Sequence, residues 1–242
     1  MPPKTPSELK MEAMERMRSS SNALTQTSKT TQNLKPPKDC KDRTSILGDD
    51  SGSMGTANFE NAKKGIVEYL RNCTPGETAV SVHWLNLEDK KEETSIFSSD
   101  LVATANSVTE TSYNAGGTPL FRRLEELLEE ERILNRIVLF TDGSPTDSYG
   151  VPFIEKAARL LRDRSVKARN ISIDTVFFGT TDLYTSRERE LLQFLSSETG
   201  GIFLVFDPSK TNFAKAFKYL APPSRLMLAS ESFRKEVEEG KR

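Results

Sequence analysis

Between residues 43 and 221 the chain alternates short, nearly continuous apolar runs with longer segments whose apolar residues recur at helical spacing. The apolar run that ends at Ile46-Leu47-Gly48, and those over Ala79 to Leu85, Arg136 to Phe140, Ile171 to Phe178 and Ile202 to Phe206, read as strands. Thr94 to Phe97 reads as a further strand, joined to the second across Glu88-Asp89-Lys90-Lys91 in a hairpin whose second arm lies at a sheet edge. Helices are predicted from Phe59, Ala62, Ile66, Tyr69 and Leu70, stopped by Pro75-Gly76, and from Leu120, Leu124, Leu127 and Leu128. Ile154, Ala157, Ala158 and Leu161 mark another. Thr185-Ser186-Arg187-Glu188 is a capping box that opens a helix through Leu191, Leu192 and Leu195, closed by Gly200-Gly201. Asp207-Pro208 opens the last, which carries Phe213, Ala216, Phe217 and Leu220 before Pro222-Pro223 halts it.

Strands that are apolar on both faces and alternate with helices predict a doubly wound, Rossmann-like α/β domain over 43–221, with a mostly parallel sheet covered on both sides. The flanking segments read differently. Thr5-Pro6-Ser7-Glu8 predicts a short helix within residues 1–18, which hold four of the six methionines, and such a helix could dock in a partner's groove. Residues 19–42 are rich in Ser, Thr, Asn, Gln, Lys and Pro and read as a flexible linker. Residues 222–242 read as a tail, with Leu228, Phe233 and Val237 at helical spacing.

Charge narrows the function classes. Lys and Arg number 34 against 35 Asp and Glu, so no bulk field favours nucleic acid or an anionic membrane. The first residues lack the hydrophobic core of a signal peptide, and no apolar run is long enough to span a bilayer. Cys40, read as part of the polar linker, and Cys73, at a helix end, do not form a disulfide framework, which predicts a cytoplasmic protein with two free thiols.

The chemistry concentrates where the first apolar run stops. Asp49, Ser51 and Ser53 follow at alternate positions with a glycine between the serines, so oxygen donors are delivered onto a tight loop. A hard divalent cation takes roughly six oxygens, at about 2.1 Å for magnesium, so further ligands must come from elsewhere. Gly116-Gly117-Thr118 places a hydroxyl on a glycine-led loop, and Ile137 to Gly143 is a strand ending in the carboxylate of Asp142. Oxygen donors suit Mg2+, Mn2+ and Ca2+ alike.

Asp-x-Ser-x-Ser, then Thr, then Thr-Asp-Gly, in that order, resembles the von Willebrand factor type A (vWA) family, over roughly Arg43 to Leu220. The resemblance implies that Asp49, Ser51, Ser53, Thr118 and Asp142 form a metal-ion-dependent adhesion site (MIDAS), in which an Asp or Glu of a partner protein completes the metal shell. It also implies six strands with the antiparallel one at an edge. The Gly-Ser-Pro-Thr-Asp that follows Asp142 resembles intracellular bacterial or phage members, some of which work beside AAA+ ATPases or in stress-response systems. One residue departs from the pattern: Gly48 stands where the family has a bulky apolar residue, which predicts a looser site.

Other candidates have plainer readings. His83, the one histidine, lacks a positioned nucleophile and reads as structural. Glu125, Glu126, Glu129, Glu130 and Glu131 read as a solvated helix face, and Asp147 as a cap. The chain reads as a metal-dependent protein-interaction module and not as an enzyme. The alternatives are a metal-dependent phosphoesterase, which would need a general base that the sequence does not show, and a structural protein that assembles through its terminal helices.

Overall fold

The computed structural model describes residues 40–86, 98–130, 133–179, 186–207 and 220. In chain order the elements are β1 (Asp42–Gly48), α1 (Gly55–Asn72), β2 (Thr78–Trp84), α2 (Leu101–Glu110), α3 (Leu120–Glu130), β3 (Arg136–Thr141), α4 (Phe153–Asp163), β4 (Ser172–Phe178), α5 (Ser186–Thr199) and β5 (Phe203–Phe206). The five strands form one sheet in the order β2-β1-β3-β4-β5, and every pair is parallel. The predicted α/β architecture is therefore the observed one.

The antiparallel strand expected over 94–97 lies outside the described residues. Ser98, just beyond it, pairs antiparallel with Val80 through two N–H···O bonds of 3.0 Å on the outer edge of β2. The predicted N-terminal helix, the linker up to residue 39, all of the last helix except Leu220, and the C-terminal tail also fall outside the described residues.

Alternation along the strands divides the core in two. Ile46, Val80, Val82, Trp84, Val138, Phe140, Val176 and Phe178 face α1 and α2, where Phe59, Ala62, Ile66, Tyr69 and Leu70 are buried as predicted. Leu47, Ala79, Ile137, Leu139, Ile173 and Phe177 face the other way, against α3, α4 and α5. The stripe on α4 is rotated from its predicted phase: Ala157, Leu160 and Leu161 are buried, whereas Ile154 and Ala158 are exposed. α2 has no counterpart in the sequence reading. It buries only Leu101 and Val108, too sparse a stripe to register, although the Asp100 carboxylate caps it by accepting from Ala103 N at 2.9 Å.

A buried ion pair sits under the α1 face. Arg136 Nε donates to Asp174 Oδ2 at 2.7 Å, and its guanidinium also reaches the Tyr69 hydroxyl and the Leu220 carbonyl. The other Asp174 oxygen accepts from Ile202 N at 2.8 Å. One guanidinium thus ties together α1, β4 and the chain at Leu220, with β5 held through Asp174.

Two residue readings change, those of Cys40 and of the acidic helix face, and that of Asp147 as a cap holds. Cys40 is buried, not part of a polar linker, with Sγ 3.5 Å from the Gly76 carbonyl; Cys40 and Cys73 are both free thiols. The acidic face of α3 is partly paired, since Glu125 and Glu129 both meet Arg164 and Glu126 meets Arg123 at 2.6 Å. Asp147 is the predicted cap, and it caps α3: its carboxylate accepts from Arg122 N at 2.7 Å and Phe121 N at 3.4 Å.

Candidate metal centre

The sheet order places β1 and β3 side by side while the chain winds outward from them in opposite directions. Loops leaving the carboxyl ends of two such strands diverge and leave a crevice, where ligands bind in doubly wound sheets. β1 delivers Asp49, Ser51 and Ser53 to this crevice, β3 delivers Asp142, and the turn before α3 delivers Thr118.

The structure gathers all five residues at one place. Asp49 Oδ1 accepts from Ser51 N at 2.8 Å, an Asx turn that lifts the next residues off the strand. Ser51 Oγ and Ser53 Oγ are 3.0 Å apart, and Ser53 Oγ donates to Asp142 Oδ1 at 2.8 Å. A Cβ placed on Gly143 would lie 3.0 Å from Ser53 Oγ and 3.3 Å from Thr118 Oγ1, so both hydroxyls converge over Gly143. Asp49, Ser51 and Thr118 are buried, Asp142 is half-buried and Ser53 is exposed, so the cluster has a closed floor and an open mouth.

Electrostatics favour a cation. Burial raises the pKa of Asp49, Asp50 and Asp142, and Asp49 raises Asp142 further, to about 6. Among the described residues no group of three or more His, Cys, Asp or Glu side chains is arranged to hold a metal ion. A cation here would therefore rely on the hydroxyls of Ser51, Ser53 and Thr118 beside the carboxylates of Asp49 and Asp142. An all-oxygen set of this kind fits a hard divalent ion.

Several residues that shape the crevice escaped the sequence reading. The Thr141 hydroxyl donates to Asp49 Oδ2 and accepts from Gly143 N at 3.2 Å, linking the two acidic loops. Thr146 Oγ1 accepts from Thr118 N at 3.1 Å, and Thr146 N returns a bond to Thr118 O at 2.9 Å. Asp50 is fully buried, with Oδ1 accepting from Asn86 N and Nδ2, both at 3.0 Å. Asp50 and Thr141 lie inside the motif segments, where their side chains could have been weighed. Asn86 is a lone amide 36 residues from its partner and carried no local signal.

Gly48 does not loosen the site. A Cβ there would fall 2.6 Å from Phe140 Cζ and 2.8 Å from Trp84 Cε3 and Cζ3. The two rings, packed edge to face at 6.1 Å, fill the space a larger residue would take. His83 is half-buried with Nε2 3.1 Å from Ser81 Oγ.

The fold has solved counterparts of low sequence identity. The VWA domain of SpRpn10 matches with 18% identity and a TM-score of 0.55, covering 75% of this chain and 95% of that one. An aerotolerance-related membrane protein from Bacteroides fragilis matches with 16% identity and a TM-score of 0.53, over 82% and 99% of the two chains. Proximal thread matrix protein 1 from the mussel byssus, solved with a zinc-occupied MIDAS motif, matches with 14% identity and a TM-score of 0.51, over 78% of this chain and 48% of that one. No curated protein matches the chain in sequence. The family model for the von Willebrand factor type A domain matches residues 45–218, which is well over half the chain. The chain belongs to the von Willebrand factor type A domain family, whose members serve as protein-interaction modules.

Proposed function

We propose that this domain binds a partner protein through a divalent cation held by Asp49, Ser51, Ser53, Thr118 and Asp142. The observation that carries this reading is the convergence of three hydroxyls and two carboxylates from separate loops on one open-mouthed crevice. When bound, the cation supplies a Lewis-acidic position for an oxygen ligand. Five side chains fall short of the roughly six oxygens that a hard divalent ion takes, so a further oxygen ligand is needed to complete the shell. An Asp or Glu side chain of the partner fits that role.

The protein's own groups prepare the site. Thr141 fixes the Asp49 carboxylate, and the Asx turn aims Ser51 and Ser53 toward Asp142. Magnesium or manganese suits these small oxygen donors, and the zinc-occupied motif of the mussel protein supports metal binding at this position of the fold. Both cysteines are buried free thiols, the state that a reducing, cytoplasmic compartment maintains. Among the described residues no helix is long and apolar enough to cross a membrane. Action as an adaptor beside an AAA+ ATPase or in a stress-response complex rests on resemblance to intracellular members.

The test is affinity capture from the source cell lysate with wild type and Asp49→Ala, each in Mg2+ and in EDTA. A protein retained only by wild type in Mg2+ supports metal-bridged recognition. A partner held equally in all four conditions contradicts it.

A further inference from the structure

The segment that leads to Thr118 is bonded along its length to the loop that carries Ser51 and Ser53. Ala115 N donates to Asp50 O at 3.0 Å, and Gly52 N donates to Gly116 O at 2.9 Å. Two side chains complete the seam. The Tyr113 hydroxyl lies 2.9 Å from Ser51 O and 3.1 Å from Gly52 O, and it accepts from Gly55 N at 3.1 Å. The Asn86 amide donates from Nδ2 to Asp50 Oδ1 at 3.0 Å and to Gly117 O at 2.6 Å.

Each of these contacts answers a local deficiency. α1 begins without a side-chain cap: Met54 stands at the cap position, and Gly55, the first helical residue, has a positive φ of 63°. The first N–H groups of a helix need partners, and the Tyr113 hydroxyl satisfies that of Gly55 from 58 residues away. The same hydroxyl pins both carbonyls of the Ser51-Gly52 turn, so the arc from Ser51 to Gly55 is held at both ends. The Tyr113 ring is fixed in turn by Phe59, with centroids 5.3 Å apart. Its backbone follows the end of α2, where the buried Lys63 ammonium donates to Thr109 O and Thr111 O, both at 3.0 Å. A Cβ on Gly116 would lie 2.5 Å from Asn86 Cγ, so the amide is wedged under the glycine pair that precedes Thr118.

We propose that Tyr113 and Asn86 are positioning residues of the metal centre, fixing the spacing between the Ser51 and Ser53 hydroxyls and that of Thr118. The proposal rests on the metal-binding reading of the site. Neither side chain contributes a metal ligand. Tyr113 bonds to the Ser51 and Gly52 carbonyls and Asn86 to the Asp50 carboxylate and the Gly117 carbonyl, all in the loops that carry the ligands, and groups that orient ligands typically govern metal affinity by about 10–100-fold.

The experiment is calorimetric titration of the full chain with Mn2+ alone, paired with thermal unfolding in EDTA. Tyr113→Phe keeps the ring against Phe59 and removes only the hydroxyl. Asn86→Ala removes the amide bridge. Phe59→Leu is a control that loosens the same packing without touching either bond. The expected result is a loss of at least about tenfold in Mn2+ affinity for Tyr113→Phe and Asn86→Ala, with Phe59→Leu near wild type even where its Tm falls further. Wild-type affinity in Tyr113→Phe, or affinity losses that follow Tm across all three variants, would overturn the proposal. Should either seam variant fail to fold, the other carries the comparison with Phe59→Leu. Failure of wild type itself to bind Mn2+ overturns the metal reading, and this proposal falls with it.

Discussion

Ser53 Oγ donates to Asp142 Oδ1 at 2.8 Å, a bond that joins the loop after β1 to the end of β3 across 89 residues of sequence. It is the most exposed bond of the candidate centre, and it spans the crevice in which the cation would sit. This bond holds the mouth of the site together.

Thr118→Ser keeps the hydroxyl, whereas Thr118→Ala removes it. The Thr118 backbone bonds to Thr146 and Leu120 survive both changes. We expect Thr118→Ala to lose Mn2+ affinity by about tenfold or more and Thr118→Ser to stay near wild type. Equal affinities in calorimetry would remove Thr118 from the ligand set.

The pH dependence of the metal-free protein follows from Asp142. Burial, and then Asp49, raises its folded pKa from 3.8 to about 6, so the folded state binds a proton more tightly than the unfolded chain does. The carboxylate therefore costs stability above about pH 6, and that cost is relieved as pH falls through 6 toward 4. Asp142→Asn in EDTA should raise Tm at about pH 7, and its advantage should vanish by about pH 4. A constant difference between variant and wild type across this window would show that Asp142 does not titrate as the structure implies.

Gly48→Ala tests the packing beneath the site. The added methyl meets Phe140 and Trp84 at under 3 Å, and both are core residues with little room to give. Overpacking of this kind costs about 1–3 kcal/mol, read as a lower denaturant midpoint with unchanged slope. An unchanged midpoint would mean that the rings move aside.

Asp174→Asn leaves the Arg136 guanidinium buried without its counter-charge while preserving an oxygen for Ile202 N. Breaking a buried pair from one side costs about 3–5 kcal/mol. Chemical denaturation should show that loss, and a change below about 1 kcal/mol would mean that the other bonds of Arg136 suffice.

The parts of this fold that sequence disclosed are those whose signal is local. Leu120, Leu124, Leu127 and Leu128 declare one helix face by spacing alone, and all four are buried. The five candidate ligands were legible because each lies in a short motif at the end of an apolar element, even though the bonds that join them cross the chain. Tyr113 and Asn86 were not, because their partners lie 58 to 62 and 31 to 36 residues away and neither residue type is diagnostic. Arg136 looked like the polar start of a strand, and only the pairing of β3 with β4 sets it against Asp174. The reading of Gly48 as a weakness erred for the same reason: the rings of Trp84 and Phe140 arrive from neighbouring strands to fill its place.

The most direct test of the account is water-proton relaxation of Mn2+ titrated into wild type and Asp49→Ala, followed by addition of acetate as a minimal carboxylate. Wild type should enhance relaxation by holding Mn2+ with water still exchanging on it. Acetate should then lower the enhancement by taking a water's place, and Asp49→Ala should show neither effect. Wild type that leaves Mn2+ free in solution, or a bound ion whose relaxation acetate does not alter, would contradict a metal centre built to receive a partner's acidic side chain.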